Sequence, residues 1–188
     1  YAQYIHCVNP SETDSCGECP SCLKIKKLAH PDLHFVFPVV NTSQTSGKSV
    51  SDHYIRQWRE HIPNNAYITE KRWYEVIGAE NKQGFISRNE SSEVLRKLSL
   101  KSYESDYKIL IMWMAEKMNP SAANSLLKMI EEPPQKTLFL LIAENTDQIL
   151  PTILSRTQMI RLSPVSEENM RSGLLKKYPE NGTLVPDV

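Results

Sequence analysis

Two stretches of the chain lose their polar positions altogether. Ile109-Leu110-Ile111-Met112-Trp113-Met114 and Leu138-Phe139-Leu140-Leu141-Ile142-Ala143 run without alternation, the pattern of strands covered on both faces in a parallel sheet. Between them Ala123, Leu126, Leu127 and Ile130 recur at helical spacing; Asn119 can cap that helix, Pro120 suits its first position and Pro133-Pro134 ends it. The unit predicts β-α-β with a right-handed crossover, the core of an open α/β sheet.

The same periodicities organise the rest. Tyr1 to Cys7 predicts the last turns of a helix broken by Asn9-Pro10, and His34 to Val40 a strand after the turn at His30-Pro31-Asp32-Leu33. Ser51 can cap a helix with Tyr54, Ile55, Trp58 and Ile62 on one face, ending at Pro63-Asn64-Asn65. Thr69 can cap another that presents Trp73, Tyr74 and Ile77. These aromatics could form a stacking platform for bases, but their helical spacing favours core. A helix starting at Asn89 or Ser91 turns Val94, Leu95 and Leu98 inward. Ile149 to Leu154 predicts a short apolar helix and Gln158 to Leu162 a strand. Pro164 and Ser166-Glu167-Glu168 predict a hinge and a capped helix.

Length and charge narrow the function classes. The 188 residues suffice for one good-sized α/β domain and the start of a second. Lysine plus arginine equals aspartate plus glutamate at 22 each, so no global basic field points to nucleic acid, and any such contact is local or shared with partners. No apolar run reaches membrane-spanning length, and Tyr1 to Asn9 lacks the charged start and apolar middle of a signal peptide. A cytoplasmic protein with no membrane partner is expected. The start at Tyr1, without methionine, suggests a fragment.

The strongest purely chemical signal is cysteine. Cys7, Cys16, Cys19 and Cys22 are the only four, spaced C-x8-C-x2-C-x2-C, with Gly17 and Pro20 supplying tight turns between them. Four thiolates so clustered suit a closed, tetrahedral structural zinc site with no position left for a catalytic water. Disulfides over such short loops would be strained and suit a cytoplasmic protein poorly. His6 and His30 could replace a cysteine ligand, although a lone histidine near a helix end is more often solvated or capping. Lys24, Lys26 and Lys27 follow the last cysteine and read as a solvated helix face.

In open α/β sheets ligands sit beyond the carboxyl ends of the strands, here Trp113 to Glu116 and Glu144 to Asp147. A P-loop hydrolase needs carboxylates there to hold magnesium and polarise water. Trp113 and Met114 can do neither, and Glu116 lies further on. Nothing satisfies the phosphate-binding pattern G-x-x-x-x-G-K-[ST]: Gly47-Lys48-Ser49 looks like its second half, but Thr42 stands five positions before Gly47, so a polar surface loop is expected.

Lys108 to Pro134 resembles the Walker B strand and following helix of bacterial clamp-loader ATPases, and Phe139 to Thr157, ending Leu-Pro-Thr-Ile-Leu-Ser-Arg-Thr, resembles their sensor 1 strand and Ser-Arg-Cys motif. The family comprises the gamma/tau and delta-prime subunits of DNA polymerase III, within the AAA+ class. The likeness continues through the cysteines and His30-Pro31-Asp32-Leu33, and is weakest from Asn41 to Gly84. It implies a P-loop NTPase-like AAA+ parallel sheet flanked by helices over residues 1–163, with the zinc module at 7–22 inserted in it. It also implies a small helical lid domain starting at 164–188 and a phosphate-binding loop before residue 1.

The resemblance further implies residue roles. Arg156, with Ser155 beside it, would serve a neighbouring subunit's ATP site, and Asn145 would hold the sensor 1 position, although Asn145 and Asp147 can equally shape a turn. Thr157 departs from the motif's cysteine. With Trp113 and Met114 in place of carboxylates, the pattern is closer to delta-prime than to gamma/tau. It implies a non-hydrolysing subunit that completes a ring with gamma/tau and delta, opens the sliding clamp and places it on primed DNA. Two alternatives are an ATP-hydrolysing gamma/tau-type motor, with Glu116 in the carboxylate role, and a zinc-dependent nucleic-acid-binding module. The segment around the cysteines lacks the aromatic interleaving that the latter would use.

Overall fold

The structure, a computed structural model, describes residues 1–41, 48–65, 67–80 and 82–177. It divides into two compact units, Tyr1–Thr157 and Gln158–Val188. The sequence reading of Asn41 to Gly47 as a polar turn lies largely outside the described residues.

The first unit is built on three parallel strands in the order β1 (Leu33–Val36), β2 (Lys108–Trp113), β3 (Thr137–Ile142). Leu33 pairs with Ile109, and Val36 with Met112; Lys108 pairs with Thr137, and Trp113 with Ile142. Alternation divides the strand side chains between two faces. Phe35, Ile109, Ile111, Trp113, Leu138 and Leu140 face a cluster with Ala2, Ile25, Trp58, Trp73 and Tyr74. Val36, Leu110, Met112, Phe139 and Leu141 face Val94, Leu98, Leu126, Ile130 and Ile153. Both faces are covered, as the unbroken apolar runs require.

The first face is covered by α1 (Ala2–His6), α2 (Pro20–Lys26), α3 (Ile55–His61) and α4 (Glu70–Val76). The second is covered by α5 (Arg88–Ser99), α6 (Pro120–Glu131) and α7 (Pro151–Leu154). The Asn119 side chain caps α6 by accepting from the Ala122 N–H at 2.7 Å, and Thr69 caps α4 by accepting from the Arg72 N–H at 3.3 Å. The Ser91 hydroxyl donates to the Ala122 carbonyl at 3.0 Å and ties α5 to α6. Gly84 is buried where a Cβ would stand 2.7 Å from the Tyr74 ring, so only glycine fits without displacing it.

Five expectations change. Strand β1 stops at Val36, and beyond it Val39 only bridges Phe85. Ser51 does not cap: it lies within a 3-10 turn, Ser51–Tyr54, and its hydroxyl is spent on Phe37, accepting from the N–H at 3.0 Å and donating to the carbonyl at 3.1 Å. Helix α5 starts at Arg88 after Ser87, earlier than Asn89 or Ser91, which puts Glu90 in its first turn. Strand β3 was expected to be fully buried, yet it is half-exposed along its length, since among the described residues nothing pairs with its outer edge. Gln158 to Leu162 forms no strand; Ile160 and Leu162 are exposed, and a strand without a ladder partner has nothing to hold it.

In the second unit, α8 (Glu167–Lys177) starts after Ser166, whose hydroxyl accepts from the Asn169 N–H at 3.4 Å. Among the described residues no helix is long and apolar enough to cross a membrane.

Candidate metal centre and strand-end site

Local backbone chemistry gathers the four cysteines. Helix α1 ends at His6 and leaves Cys7 extended. Gly17, at φ +75°, turns the chain between Cys16 and Cys19, a conformation that side chains resist. Cys19 caps α2 and Pro20 takes its first position, which fixes Cys22 one turn on. Backbone N–H groups then converge on sulfur: Cys16 on Cys7 Sγ at 3.3 Å, Cys19 on Cys16 Sγ at 3.4 Å, and Cys22 on Cys19 Sγ at 3.5 Å.

All four side chains are free thiols rather than disulfides, and their Sγ atoms lie within 4.8 Å of one another, with Cys7–Cys16 at 3.5 Å and Cys16–Cys22 at 4.0 Å. A tetrahedral site with metal–sulfur bonds of about 2.3 Å has edges of about 3.8 Å, so the donor set fits a metal of that geometry. N–H donation from Val8 and Cys22 lowers the Cys19 thiol to about 6, and N–H groups of Glu18 and Cys19 lower Cys16. Burial raises Cys22 to about 11. A cation among the sulfurs would supply the charge that Cys22 lacks for ionisation.

The nearby histidines do other work. His6 stacks on His30 with ring centroids 4.3 Å apart, its Nδ1 is 2.6 Å from the Ser105 hydroxyl, and His30 Nδ1 accepts from the Asp32 N–H. The Asp32 carboxylate accepts from the N–H groups of Tyr103, Glu104 and Ser105 at 2.6 to 2.9 Å. This network fastens the cysteine module to the loop that enters β2. Of the lysines after Cys22, Lys26 and Lys27 are exposed; Lys24 pairs with Glu104 at 2.5 Å, and Lys26 donates to the Gly17 carbonyl at 2.8 Å.

At the carboxyl end of β2, Trp113 packs at 5.6 Å between ring centroids on Trp58, which stacks on Phe37 at 4.2 Å and meets Trp73 edge-on at 5.1 Å. Trp58 and Trp73 are buried, so the aromatics of α3 and α4 are core rather than a base-stacking platform. Met114 is buried and left-handed at φ 57°, ψ 57°, which turns the chain into the 3-10 turn Ala115–Lys117. Glu116 Oε1 accepts from the Glu144 N–H at 3.1 Å, joining the ends of β2 and β3. Lys117 pairs with Glu70 of α4 at 2.8 Å. Asn145 is exposed, and its amide oxygen accepts from the Asp147 N–H at 3.0 Å, shaping a turn.

Arg156 stands one residue beyond Ser155, at the C-terminal end of α7. Its Nε donates to Glu131 at 3.1 Å, and its Nη1 donates to the Thr152 carbonyl at 3.1 Å and to the Ser155 hydroxyl at 3.4 Å. The Thr157 hydroxyl donates back to the carbonyls of Ile153 and Leu154, so threonine secures the turn where the motif has cysteine. Sequence reasoning missed Glu131. The available signal was its acidic side chain in the last turn of α6, where the helix dipole disfavours negative charge.

The geometry defines an α/β domain with a central parallel sheet, a four-cysteine cluster positioned to bind a metal, and apolar side chains at the end of its middle strand. The chain belongs to the family described as DNA polymerase III, delta subunit, whose family model matches residues 1–166. A DNA polymerase III delta-prime subunit from Haemophilus influenzae is 28% identical over 167 residues, 89% of this chain and 38% of that protein. The delta-prime subunit of Bacillus subtilis is 27% identical over 164 residues, 87% of this chain and 37% of its own length. A gamma/tau subunit from Mycobacterium tuberculosis is 31% identical over 84 residues, 45% of this chain and 14% of that protein. The chain thus spans well under half the length of the curated relatives it matches.

Proposed function

We propose that this chain is part of a delta-prime-type subunit of a bacterial, cytoplasmic DNA polymerase III clamp loader. In this reading it hydrolyses no ATP itself and donates Arg156 to the ATP site of a neighbouring gamma/tau subunit. Its partners are gamma/tau and delta and, through the assembly, the sliding clamp and primed DNA. The observation that carries the reading is the end of β2, where Trp113 and Met114 are packed into apolar surroundings at the place where a hydrolase needs carboxylates. Glu116 follows two residues after Met114, and its Oε1 accepts from the Glu144 N–H.

Arg156 supplies the positive half of the proposal. A guanidinium fixed on a short turn carries a permanent charge and can donate in a plane to oxygens of a transferring phosphoryl group, stabilising charge there without repositioning. Ser155 supports it by accepting from Nη1. Asn145 would contribute its remaining amide N–H groups at the end of β3. The metal is read as a structural zinc held by Cys7, Cys16, Cys19 and Cys22, which supplies folding free energy to a module with little core of its own.

The test is ATP hydrolysis by a reconstituted loader with clamp and primed DNA, comparing full-length wild type, Arg156→Ala and each subunit alone. A silent isolated subunit together with a slowed assembled motor supports the reading. Turnover by this subunit alone moves the gamma/tau-type motor to the front. Binding of DNA by the subunit alone with steep salt dependence, lost on zinc removal, would instead favour a nucleic-acid-binding module.

A further inference from the structure

Arg156 is not free to sweep. A guanidinium has five N–H donors. The Nε–H goes to Glu131 at 3.1 Å, and Nη1 is engaged by the Thr152 carbonyl and the Ser155 hydroxyl. Among the described residues no partner engages Nη2, and the side chain is 33% exposed, so the two N–H groups of Nη2 are the donors left for a further acceptor. Two of the three acceptors, Thr152 and Ser155, come from the same short helical turn as the arginine. The third comes from another element, the last residue of α6, 25 positions earlier in the chain.

The placement of Glu131 is costly for the helix that carries it. A carboxylate in the last turn faces the negative end of the helix dipole, and an exposed ion pair returns no more than that loss. Stability of α6 therefore does not account for an acid here. A geometric role does. Helix α6 is anchored by the buried Leu126 and Ile130 on the sheet, so Glu131 offers a fixed point to which Nε can be tied while Nη2 keeps its donors.

We propose that Glu131 is the positioning residue for Arg156: it holds the guanidinium through Nε and leaves Nη2 to donate to an anionic oxygen of a partner-bound nucleotide. This rests on the reading of Arg156 as an arginine used in trans. Glu131 touches no reacting atom and acts only through the arginine. Because misplacement by about 1 Å can cost on the order of a hundredfold in a reaction step, loss of one tether is expected to reduce turnover rather than substrate binding.

The experiment uses the full-length subunit in the complete loader, with steady-state ATP hydrolysis measured for Glu131→Ala, Glu131→Gln, Arg156→Ala and the double variant Glu131→Ala/Arg156→Ala. Glu131→Ala is expected to lower kcat about tenfold or more with KM for ATP unchanged. Glu131→Gln, whose amide oxygen still accepts from Nε, recovers most of that loss. The double variant is no slower than Arg156→Ala alone, as required of a residue acting through the arginine. Melting temperatures of the isolated single variants should match wild type, which separates positioning from folding. If Arg156→Ala slows the loader while Glu131→Ala does not, or if the two losses multiply, the positioning role is wrong and the finger reading survives. If Arg156→Ala itself changes nothing, the finger reading falls and takes this inference with it.

Discussion

The indole of Trp58, from α3, lies 5.6 Å from that of Trp113 at the end of β2, tilted by 50°. The contact joins α3 to the strand end where hydrolases of this architecture keep their carboxylates. Trp58 is buried at 4% exposure among Phe37, Trp73 and Trp113. Trp58→Ala should therefore cost about 3–5 kcal/mol, read as a lowered urea midpoint. Trp113→Asp places an unpaired carboxylate against the same indoles and should cost about 3 kcal/mol or more. A loss below 1 kcal/mol for both would mean that the aromatic cluster does not hold α3 to the sheet.

Much of this arrangement was legible because it is local. The β2-α6-β3 unit follows from two apolar runs and a capped, amphipathic helix, and the Asn119 and Thr69 caps follow from side-chain chemistry one turn long. The cysteine cluster was legible because its four members fall within sixteen residues. What the pattern concealed depends on partners distant in sequence. An apolar run such as Leu138 to Ala143 predicts covering but not by what, and in the structure β3 is the half-exposed edge. Ser51 reads as a cap until Phe37, 14 residues away, is seen to use its hydroxyl. Glu90 was missed altogether, although its spacing to Val94 and Leu98 places an acid on the buried stripe of α5.

The four-cysteine cluster yields a prediction independent of any assay of function. The purified protein should contain about one zinc per chain, and a strong chelator should lower its melting temperature. Cys22→Ser should do the same without chelator, because Cys22 is the buried member of the set. Limited proteolysis should then cut first between Cys7 and Cys22. Zinc well below one per chain, with melting unaffected by chelator, would leave the four thiols as a reduced cluster only.

Met114 offers a test of backbone strain. It is buried at 3% exposure with φ 57°, a region that β-branched side chains tolerate poorly. Met114→Leu and Met114→Ile roughly conserve side-chain volume and should both be mildly destabilising through the change of shape. The isoleucine variant should be worse by about 1–2 kcal/mol, since only it adds branching at Cβ. Equal stabilities in urea would mean that this turn does not hold its left-handed conformation.

Glu90 gives the pH dependence its sharpest handle. It is 1% exposed, and its Oε2 accepts from the Ser51 N–H at 2.6 Å. Burial raises its carboxyl to about 7, against the pull of the Ser51 N–H and the Lys97 ammonium. Between its ordinary value and 7 the folded chain holds the proton more tightly than the unfolded one. Its contribution to stability is therefore complete below about pH 4.5 and is lost as pH rises through 7. Burial lowers His34 to about 4 and also lowers His30, so these histidines act in the opposite sense and remove stability as pH falls below about 6.5. The raw profile sums the two trends and can look flat. The difference between wild type and Glu90→Gln isolates the first, because the amide keeps an acceptor for Ser51 and cannot ionise. Glu90→Gln should be close to wild type at pH 5 and more stable by about 2 kcal/mol at pH 8, with the gap opening between pH 5 and 7. A gap that is constant with pH would mean that Glu90 is not the titrating group.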